Sequence, residues 1–341
     1  MSTTLDAPSA GAFARPVLIV GLCGLVVALF AVSVAIGYAP LDWSQAIADI
    51  LAGRETIPAV VLLQLRLPRA ILAATVGFSL GLTGAAMQGL MRNPLADPGV
   101  VGVSGAAGLG AVMTFYFGLS SAFTLALPIG GLIGAGLSTA FLLALARRGT
   151  GTATLVLAGV AINSLTGALT ALTLNLAPSP YAALEVMFWL MGSLSDRSLI
   201  HVALSLPFMM VGWVLVLATR RALDALTLGE DTAASMGFSL PRLRLLVVGG
   251  TAAAVGASVA VSGVIGFVGL VVPHLMRPLV RHRPGRLLLA SALAGAALTL
   301  GADIAVRLIP TRPELKLGVV TAIIGAPFFF AVLRHLKVEG E

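Results

Sequence analysis

The chain has 341 residues, of which 58% are apolar and only 10% are charged, and its mean hydropathy is +1.03. Soluble domains carry about 25% charged residues, so this composition excludes an ordinary soluble enzyme, a disordered chain and, with one cysteine, a disulfide scaffold. The net charge of +7 would suggest a nucleic-acid partner in a soluble protein. In a chain this apolar it indicates basic loops that fix orientation in a membrane, and no nucleic-acid partner is expected.

Long windows without charge predict the membrane crossings. A bilayer core about 30 Å thick needs roughly 20 apolar residues per helix. The predicted fold is therefore an all-α integral membrane protein with about ten transmembrane helices. The windows are, in chain order, Pro16–Leu41, Ala70–Met91, Pro98–Ala146 (two spans), Gly149–Leu184, Ser198–Thr219, Leu245–Met276 (two spans), Leu287–Ala302 and Leu317–Leu333.

Basic residues predict the orientation of these spans. With the N-terminus inside, Lys and Arg of the inner loops outnumber those of the outer loops, so both termini are expected to be cytoplasmic. The expected organisation is a tail over 1–15, a single transmembrane domain over 16–336 and a tail over 337–341. Residues 245–281 are read either as two helices or as one broken helix. The first apolar run is longer than a typical signal peptide, which favours a retained helix.

Two polar stretches predict connecting segments. Tyr38–Arg69 lies on the predicted outer side, and the apolar spacing from Leu41 onward indicates a short interfacial helix. This stretch runs into Pro68, which suits the first turn of the second span. Arg92–Gly99 contains two prolines that break helices, so it predicts an inner turn.

The longest predicted inner loop, Arg220–Arg244, contains its own short helix. Glu230 and Asp231 fit the positive N-terminal end of a helix, and Gly237 fits its C-terminal cap. A helix bounded in this way in a cytoplasmic loop favours a docking element for another subunit. The alternative is a solvated linker.

Motifs for chemistry are absent from the sequence. It contains no Walker A motif, no nucleophile elbow and no Cys/His cluster with metal-ligand spacing. We therefore expect no enzyme activity, metal or cofactor in this chain. Asp303 and Arg307 have the i,i+4 spacing of a helical ion pair, which is either functional or a structural pair near the outer end.

Many spans, a docking helix and no motor of its own together favour a transport subunit driven by a separate motor. A secondary transporter is the competing class, and it would need ion-coupling groups near the midplane of the membrane. The sequence offers few such groups. An integral membrane enzyme would need clustered catalytic side chains, which are not found either.

Five motifs resemble the signature stretches of the FecCD/BtuC-type permeases, the membrane subunits of bacterial ABC importers for iron chelates, haem and cobalamin. The resemblance extends over residues 60–335. The motifs are Arg66–Arg69 (RLPR), Gln88–Gly99 (QGLMRNPLADPG), Gly229–Gly237 (GEDTAASMG), Gly266–His274 (GFVGLVVPH) and Glu314–Pro327 (ELKLGVVTAIIGAP). Lys316 departs from the family, which often has proline there.

The resemblance implies ten helices per subunit and a dimer, of two copies or of this chain with a paralogue, in the bacterial cytoplasmic (inner) membrane. Two ATPase subunits, which would bind ATP and Mg²⁺, are implied on the inside. A periplasmic or lipid-anchored binding protein is implied on the outside. The substrate it favours is a ferric siderophore or haem, with cobalamin second.

The resemblance also implies roles for particular residues. Arg66, Arg69 and Arg307 match arginines that dock the binding protein; the alternative for these arginines is snorkelling to lipid headgroups. Gly151 and Thr152 match the cytoplasmic gate. The coupling element that contacts the ATPase lies in a loop over about 221–241 and comprises Gly229, Glu230, Asp231, Thr232, Ala233, Ala234, Ser235, Met236 and Gly237.

Overall fold

The computed structural model describes residues 10–37, 41–119, 123, 125–147, 151–177, 179–311 and 313–338. Within these residues the regular structure is entirely helical. The α-helices are α1 Ala10–Ala35, α2 Trp43–Leu51, α3 Ile57–Val60, α4 Leu67–Met91, α5 Val103–Tyr116, α6 Ala126–Arg147, α7 Thr152–Asn175, α8 Pro180–Leu190, α9 Leu199–Ala218, α10 Arg220–Leu226, α11 Glu230–Ser235, α12 Leu240–Ser262, α13 Val268–Met276, α14 Pro284–Leu308 and α15 Leu317–Val338. A π-helical turn, Val61–Arg66, joins α3 to α4, and 3-10 turns occupy Pro98–Val101 and Pro278–Val280.

Seven helical segments among the described residues are long and apolar enough to cross a membrane. Two shorter apolar helices, Val103–Tyr116 and Leu317–Phe328, accompany them. Helices suit a bilayer because they satisfy every backbone hydrogen bond internally. The all-α membrane class is therefore confirmed, whereas the count of ten and the side on which the termini lie stay predictions. The seven segments are Pro16–Ala35, Ile57–Met91, Ala126–Ala146, Thr152–Asn175, Leu199–Ala218, Leu240–Ser262 and Pro284–Leu308.

The structure bears on the predicted tails and single domain only near the two ends of the chain. Helix α1 begins at Ala10, inside the stretch predicted as a tail, and α15 continues to Val338. Residues 1–9 and 339–341 lie outside the described residues, as do 38–40 of the outer stretch. The domain limits stay a prediction.

The second span begins earlier than its sequence suggests. Helical structure runs from Ile57 to Met91 without a break. Pro68 lies in the first turn of α4, as predicted, but α3 and a π-helical turn precede that helix. Proline cannot donate to the carbonyl four residues before it, and its ring clashes there. The wider π-helical turn directly before Pro68 is the local adjustment that lets the helix continue.

The segment 245–281 contains two helices and an extended break between them. Helix α12 ends at Ser262, and α13 is a separate helix of nine residues. Gly263 has φ of +70°, and a side chain there would collide with the Trp189 carbonyl. A nine-residue helix is too short to span a bilayer alone.

Helices α4, α12 and α14 form the centre of the bundle. About four fifths of each apolar window is buried there, at 78%, 83% and 78% respectively. Helix α4 packs along α14 so closely that a Cβ at Gly81 would meet the Ser291 carbonyl, and Gly84 touches the Gly269 backbone in the same way. Small residues let these helix backbones approach, which is the usual source of helix association in membranes.

Helices α1 and α7 lie at the periphery. Only 6% of the α1 window and 17% of the α7 window are buried. Apolar side chains such as Val17 and Leu157 are exposed on them. These surfaces suit contact with lipid or with another subunit.

Candidate docking, coupling and gating sites

A charge cluster lies where α4, α14 and the loop before α15 meet. Arg69 of α4 binds Asp303 of α14, with Nη2 2.8 Å from Oδ1 and Nε 2.9 Å from the same oxygen. The other side of its guanidinium forms an ion pair with Glu314. Arg307 approaches Asp303 from its own helix, with Nη2 2.8 Å from Oδ2. Asp303 is thus held between two arginines, and the predicted Asp303–Arg307 pair is confirmed.

Two of these arginines also hold the end of α1. Arg66 donates from Nη1 to the Ala35 carbonyl at 2.6 Å. Arg307 donates from Nη1 to the carbonyls of Ser33 at 2.7 Å and Ile36 at 2.8 Å. The last carbonyls of a helix lack partners within it and carry its negative dipole end. The two guanidinium groups therefore cap α1 from outside its own helix.

The structure brings Arg66, Arg69 and Arg307 together; Arg66 and Arg307 are buried, and the side chain of Arg69 is 12% exposed. Arg66 and Arg307 are only 6% and 7% exposed. Arg66 donates to the end of α1, and Arg307 donates to the end of α1 and to Asp303. Their role in docking stays a prediction.

A cavity of about 440 Å³ opens beside this cluster. Its lining carries more basic than acidic side chains: Arg66, Arg69, Arg197, Arg307 and Lys316 against Asp196 and Glu314. Lys316 also lies 5.5 Å from the centre of the Phe188 ring, within cation–π range. The lining of this cavity is therefore net basic, which favours negative charge beside it.

Glu314 is tied into this cavity by several groups. Ser195 Oγ donates to its Oε2 at 3.1 Å, and Arg69 binds both of its oxygens. Burial on its own raises the pKa of Glu314. The hydrogen bond and charge of Arg69 outweigh burial and hold that pKa below its ordinary value of 4.5.

On the opposite side of the bundle, the predicted short helix is confirmed as α11. Gly229 precedes it with φ of +109°, and Gly237 follows it with φ of +87°, a left-handed conformation that favours glycine. The Gly237 N–H donates to the Ala234 carbonyl, which closes the helix end. Ala233 faces the protein and is fully buried, whereas Ala234 is exposed.

The exposed face of α11 is larger than one residue. Asp231, Thr232, Ser235 and Met236 are also exposed, and Met236 is 56% exposed. Because α11 buries Ala233 and exposes most of its other residues, another subunit can contact it. Its coupling role stays a prediction.

Arg244 links α11 to the start of α7. Its Nη2 lies 3.1 Å from Glu230 Oε1 in the first turn of α11. Its Nε donates to Thr152 Oγ1 at 3.0 Å. One side chain of α12 thus joins the predicted coupling helix to a predicted gate residue. Sequence reasoning counted Arg244 only as an inner loop charge and missed this bridge.

The predicted gate residues stand at the N-terminus of α7. Gly151 is the residue before the helix, and Thr152 is its first residue. Thr152 also lines a cavity of only about 10 Å³ with Met87 and Val248, which is hardly room for one water molecule. Residues 148–150, directly before Gly151, lie outside the described part. The gate role stays a prediction.

The predicted inner turn is built from side-chain hydrogen bonds. Asp97 accepts the Gly99 N–H at 2.7 Å. Burial raises the pKa of Asp97, and this hydrogen bond opposes the rise. At the end of α4, Gln88 accepts from Arg277 at 2.6 Å and donates to the Leu270 carbonyl. The Asp97 bond closes the turn on itself, and the two Gln88 bonds tie α4 to α13 and to Arg277 directly after it.

No group of three His, Cys, Asp or Glu side chains that could hold a metal occurs within the described ranges. The expectation that this chain carries no resident metal or cofactor stays a prediction.

The model of the FecCD transport family matches residues 25–335. The chain belongs to this family. The ABC transporter permease YvrB of Bacillus subtilis is 38% identical over 296 residues, which cover 85% of this chain and 83% of YvrB. The Fe(3+) dicitrate transport permease FecD of Escherichia coli is 37% identical over 89% of this chain and 94% of its own length.

Two further comparisons agree. The cobalamin import permease BtuC of Halobacterium salinarum is 39% identical over 82% of this chain and 75% of its own length. A solved structure described as an inward-facing metal-chelate type ABC transporter superposes with a TM-score of 0.81 at 29% identity, covering 94% of this chain and 99% of that one.

The chain is therefore an ABC importer permease of the FecCD/BtuC family and a multi-pass membrane protein. Its relatives are transport permease subunits rather than enzymes. The family works together with ATPase and substrate-binding partners.

Proposed function

We propose that this FecCD-family permease moves a ferric chelate, a siderophore or haem, across the bacterial cytoplasmic membrane. The energy comes from ATP hydrolysed by a separate subunit. Family membership across residues 25–335 carries this proposal, and the relative named for Fe(3+) dicitrate supports iron chelates. Cobalamin is the second candidate, because several relatives are named for vitamin B12 import.

The proposed complex contains two permease subunits, either two copies of this chain or this chain with a paralogue. Two ATPase subunits, which bind ATP and Mg²⁺, attach from the cytoplasm, and a binding protein delivers substrate from the outside. The exposed face of α11 supports the ATPase contact. The basic excess around the outer cavity supports an acidic partner on the other side.

Coupling runs from α11 to α7 in this proposal. ATP binding draws the ATPase subunits together and shifts α11. Because Arg244 contacts both Glu230 and Thr152, a shift of α11 pulls on the first residue of α7. Gly151 and Thr152 then open or close the exit on the cytoplasmic side.

In this proposal the binding protein docks at the outer cluster, which is the charge cluster of Arg69, Asp303, Arg307 and Glu314 described above. Arg66 and Arg307 hold α1, Arg69 lies at the cavity bound to Asp303 and Glu314, and Lys316 adds positive charge there. Opposed charges set orientation and association rate more than affinity. Lys316→Glu should slow binding-protein association most at low salt, because salt screens exposed charges. Unchanged association at low salt would contradict a role for this charge.

The substrate is tested by uptake in a strain that lacks this chain. Labelled ferric siderophore, haem iron and cobalamin are compared, with the intact gene supplied again as the control. Loss and recovery of siderophore or haem uptake supports the leading proposal. Loss of cobalamin uptake alone selects the second candidate, and three unchanged rates refute both.

The ATPase contact is tested with Ala234→Arg. Ala234 is exposed, so the chain should fold normally, whereas the ATPase subunits should no longer copurify with it or should no longer drive transport. His282→Arg is the matched control, since it adds a charge on a different exposed turn. Normal transport by the Ala234→Arg protein would refute a coupling role for this face of α11.

A further inference from the structure

A second large cavity lies far from the outer cluster, between α1, α9 and α14. Its volume is about 420 Å³, within the size range of ligand pockets. Leu18 and Ile19 of α1, Leu217 of α9 and Leu289 of α14 form apolar walls. No role described above uses this space.

One edge of this cavity is basic. Arg220, Arg281 and Arg286 line it. The neighbouring acid is Asp224, whose Oδ1 accepts the Gly285 N–H at 2.7 Å and so caps the start of α14. Among the described residues, Arg220 and Arg281 form no ion pair with a carboxylate, so their two charges make this rim positive.

The rim lies where the apolar spans end. Arg220 begins α10, two residues after α9 ends, and Arg286 is the third residue of α14. The apolar walls therefore continue from the rim into the depth of the membrane. This is also the arginine-rich side, which the positive-inside rule predicts to be cytoplasmic.

The cavity opens toward the periphery of the bundle. Helix α1 forms one wall, and its outward residues Val17 and Val20 are 70% and 68% exposed. Leu279 and Leu289, at the other side, are 58% and 38% exposed. An apolar surface of this kind at the edge of a membrane protein faces acyl chains.

We propose that this cavity binds one anionic phospholipid of the cytoplasmic leaflet. The phosphodiester lies on the arginine rim, and an acyl chain runs along α1, α9 and α14. A guanidinium group can donate two parallel hydrogen bonds to two oxygens of one phosphate. Basic pockets between helices on the cytoplasmic side are the expected sites for anionic headgroups. A free phosphate would leave the apolar walls unfilled, so the walls favour a lipid.

The test measures lipids retained by the full chain. The protein is reconstituted into nanodiscs with equal amounts of phosphatidylglycerol and phosphatidylcholine, extracted gently, and its bound lipids are counted by native mass spectrometry. We expect one retained phosphatidylglycerol per chain. Arg220→Gln with Arg281→Gln should lower the preference for phosphatidylglycerol about 25-fold, roughly fivefold for each arginine.

Two further variants separate this cavity from general surface charge. Arg221→Gln with Arg283→Gln removes the same charge from exposed residues outside the cavity lining and should change the preference less than about twofold. Leu289→Trp fills the cavity without changing charge and should remove the retained lipid.

Four results would overturn the proposal. An equal loss in the Arg221/Arg283 control would mean diffuse surface attraction. Equal retention of phosphatidylcholine would mean an apolar groove without headgroup recognition. Displacement of the lipid by inorganic phosphate would assign the rim to a free anion. Crosslinking of two chains through Leu18→Cys, in a Cys23→Ser background, would assign the groove to a second copy.

Discussion

The charge cluster around Asp303, on the predicted outer side, and the Arg244 bridge, on the predicted inner side, both join arginine to a carboxylate, yet they differ in burial and support. Asp303 is fully buried between two arginines from different helices. The side chain of Glu230 is 44% exposed, and it stands on a six-residue helix. Burial favours a single arrangement of the outer cluster. The exposed carboxylate makes the ion pair of the inner bridge easier to separate.

This difference follows from what each carboxylate loses when its partner moves. A buried charge without its partner is strongly destabilising. The Arg244 side chain is itself only 12% exposed, but Glu230 is open to solvent. Water can therefore replace Arg244 around this carboxylate, and a pair with one exposed member contributes about 1 kcal/mol or less. In the proposed transport cycle, movement therefore belongs at the inner end, and the outer end supplies a fixed platform.

The largest effect is expected from Asp303→Asn, which breaks the outer cluster. The change keeps the shape of the side chain but removes the negative charge that compensates the charges of Arg69 and Arg307. The free energy of unfolding should fall by about 3 kcal/mol, measured by SDS-induced unfolding in mixed micelles. Asp196→Asn, at an exposed residue beside the same cavity, is the control and should have little effect. Equal stability of both variants would mean that the cluster does not anchor the bundle.

A pH titration tests the same cluster by changing only the charge of Glu314. The folded pKa of Glu314 lies below its ordinary value of 4.5, so its contribution to stability is complete above pH 4.5. The contribution is lost as the pH falls through the lower folded pKa. The wild type should therefore lose more stability on acidification than Glu314→Gln, measured by the same unfolding assay. Parallel pH curves would show that Glu314 gains nothing from Arg69.

At the inner bridge, we expect a small effect on stability and a clear effect on transport. Arg244→Glu and Glu230→Arg should each raise the ATP hydrolysed per substrate transported in proteoliposomes, because each leaves two like charges together. The double exchange restores opposite charges and should recover part of the wild-type ratio. A purely structural role predicts altered stability without this recovery.

The smallest effect is expected from Thr152→Val. It removes one acceptor of Arg244 while keeping a branched side chain of similar size. Loss of a single hydrogen bond should cost about 1 kcal/mol of unfolding free energy. The ATP consumed per substrate should rise less than for Arg244→Glu. Thr154→Val, two residues along α7 and exposed, is the control in the same two assays.

Local signals made α11 predictable. The acids at its start and Gly237 at its end act within one or two turns, so the sequence alone indicates both the helix and its limits. The Asp303–Arg307 pair was predictable for the same reason, because four residues separate its members. For residues 245–281 the sequence allowed two interpretations, two helices or one broken helix. Gly263 permits a kink within a helix as readily as the end of a helix.

Contacts between distant segments could not be predicted in this way. Arg69 and Asp303 are 234 residues apart in the chain, and Arg244 reaches Thr152 across 92 residues. No periodic pattern in the sequence indicates which distant residues form such pairs. The burial of Arg66 and Arg307 was missed for the same reason, because their acceptors are the carbonyls at the end of α1.

The capping of α1 by Arg307 has a consequence for biosynthesis. The donor stands 274 residues after Ser33, whose carbonyl it binds. At translation speeds of about 5–20 residues per second, α1 leaves the ribosome roughly 15–55 s before α14. During that interval α1 sits in the bilayer without its final cap from α14. Until the later helix arrives, water, lipid headgroups or Arg66, which binds the Ala35 carbonyl, can satisfy the carbonyls at this end.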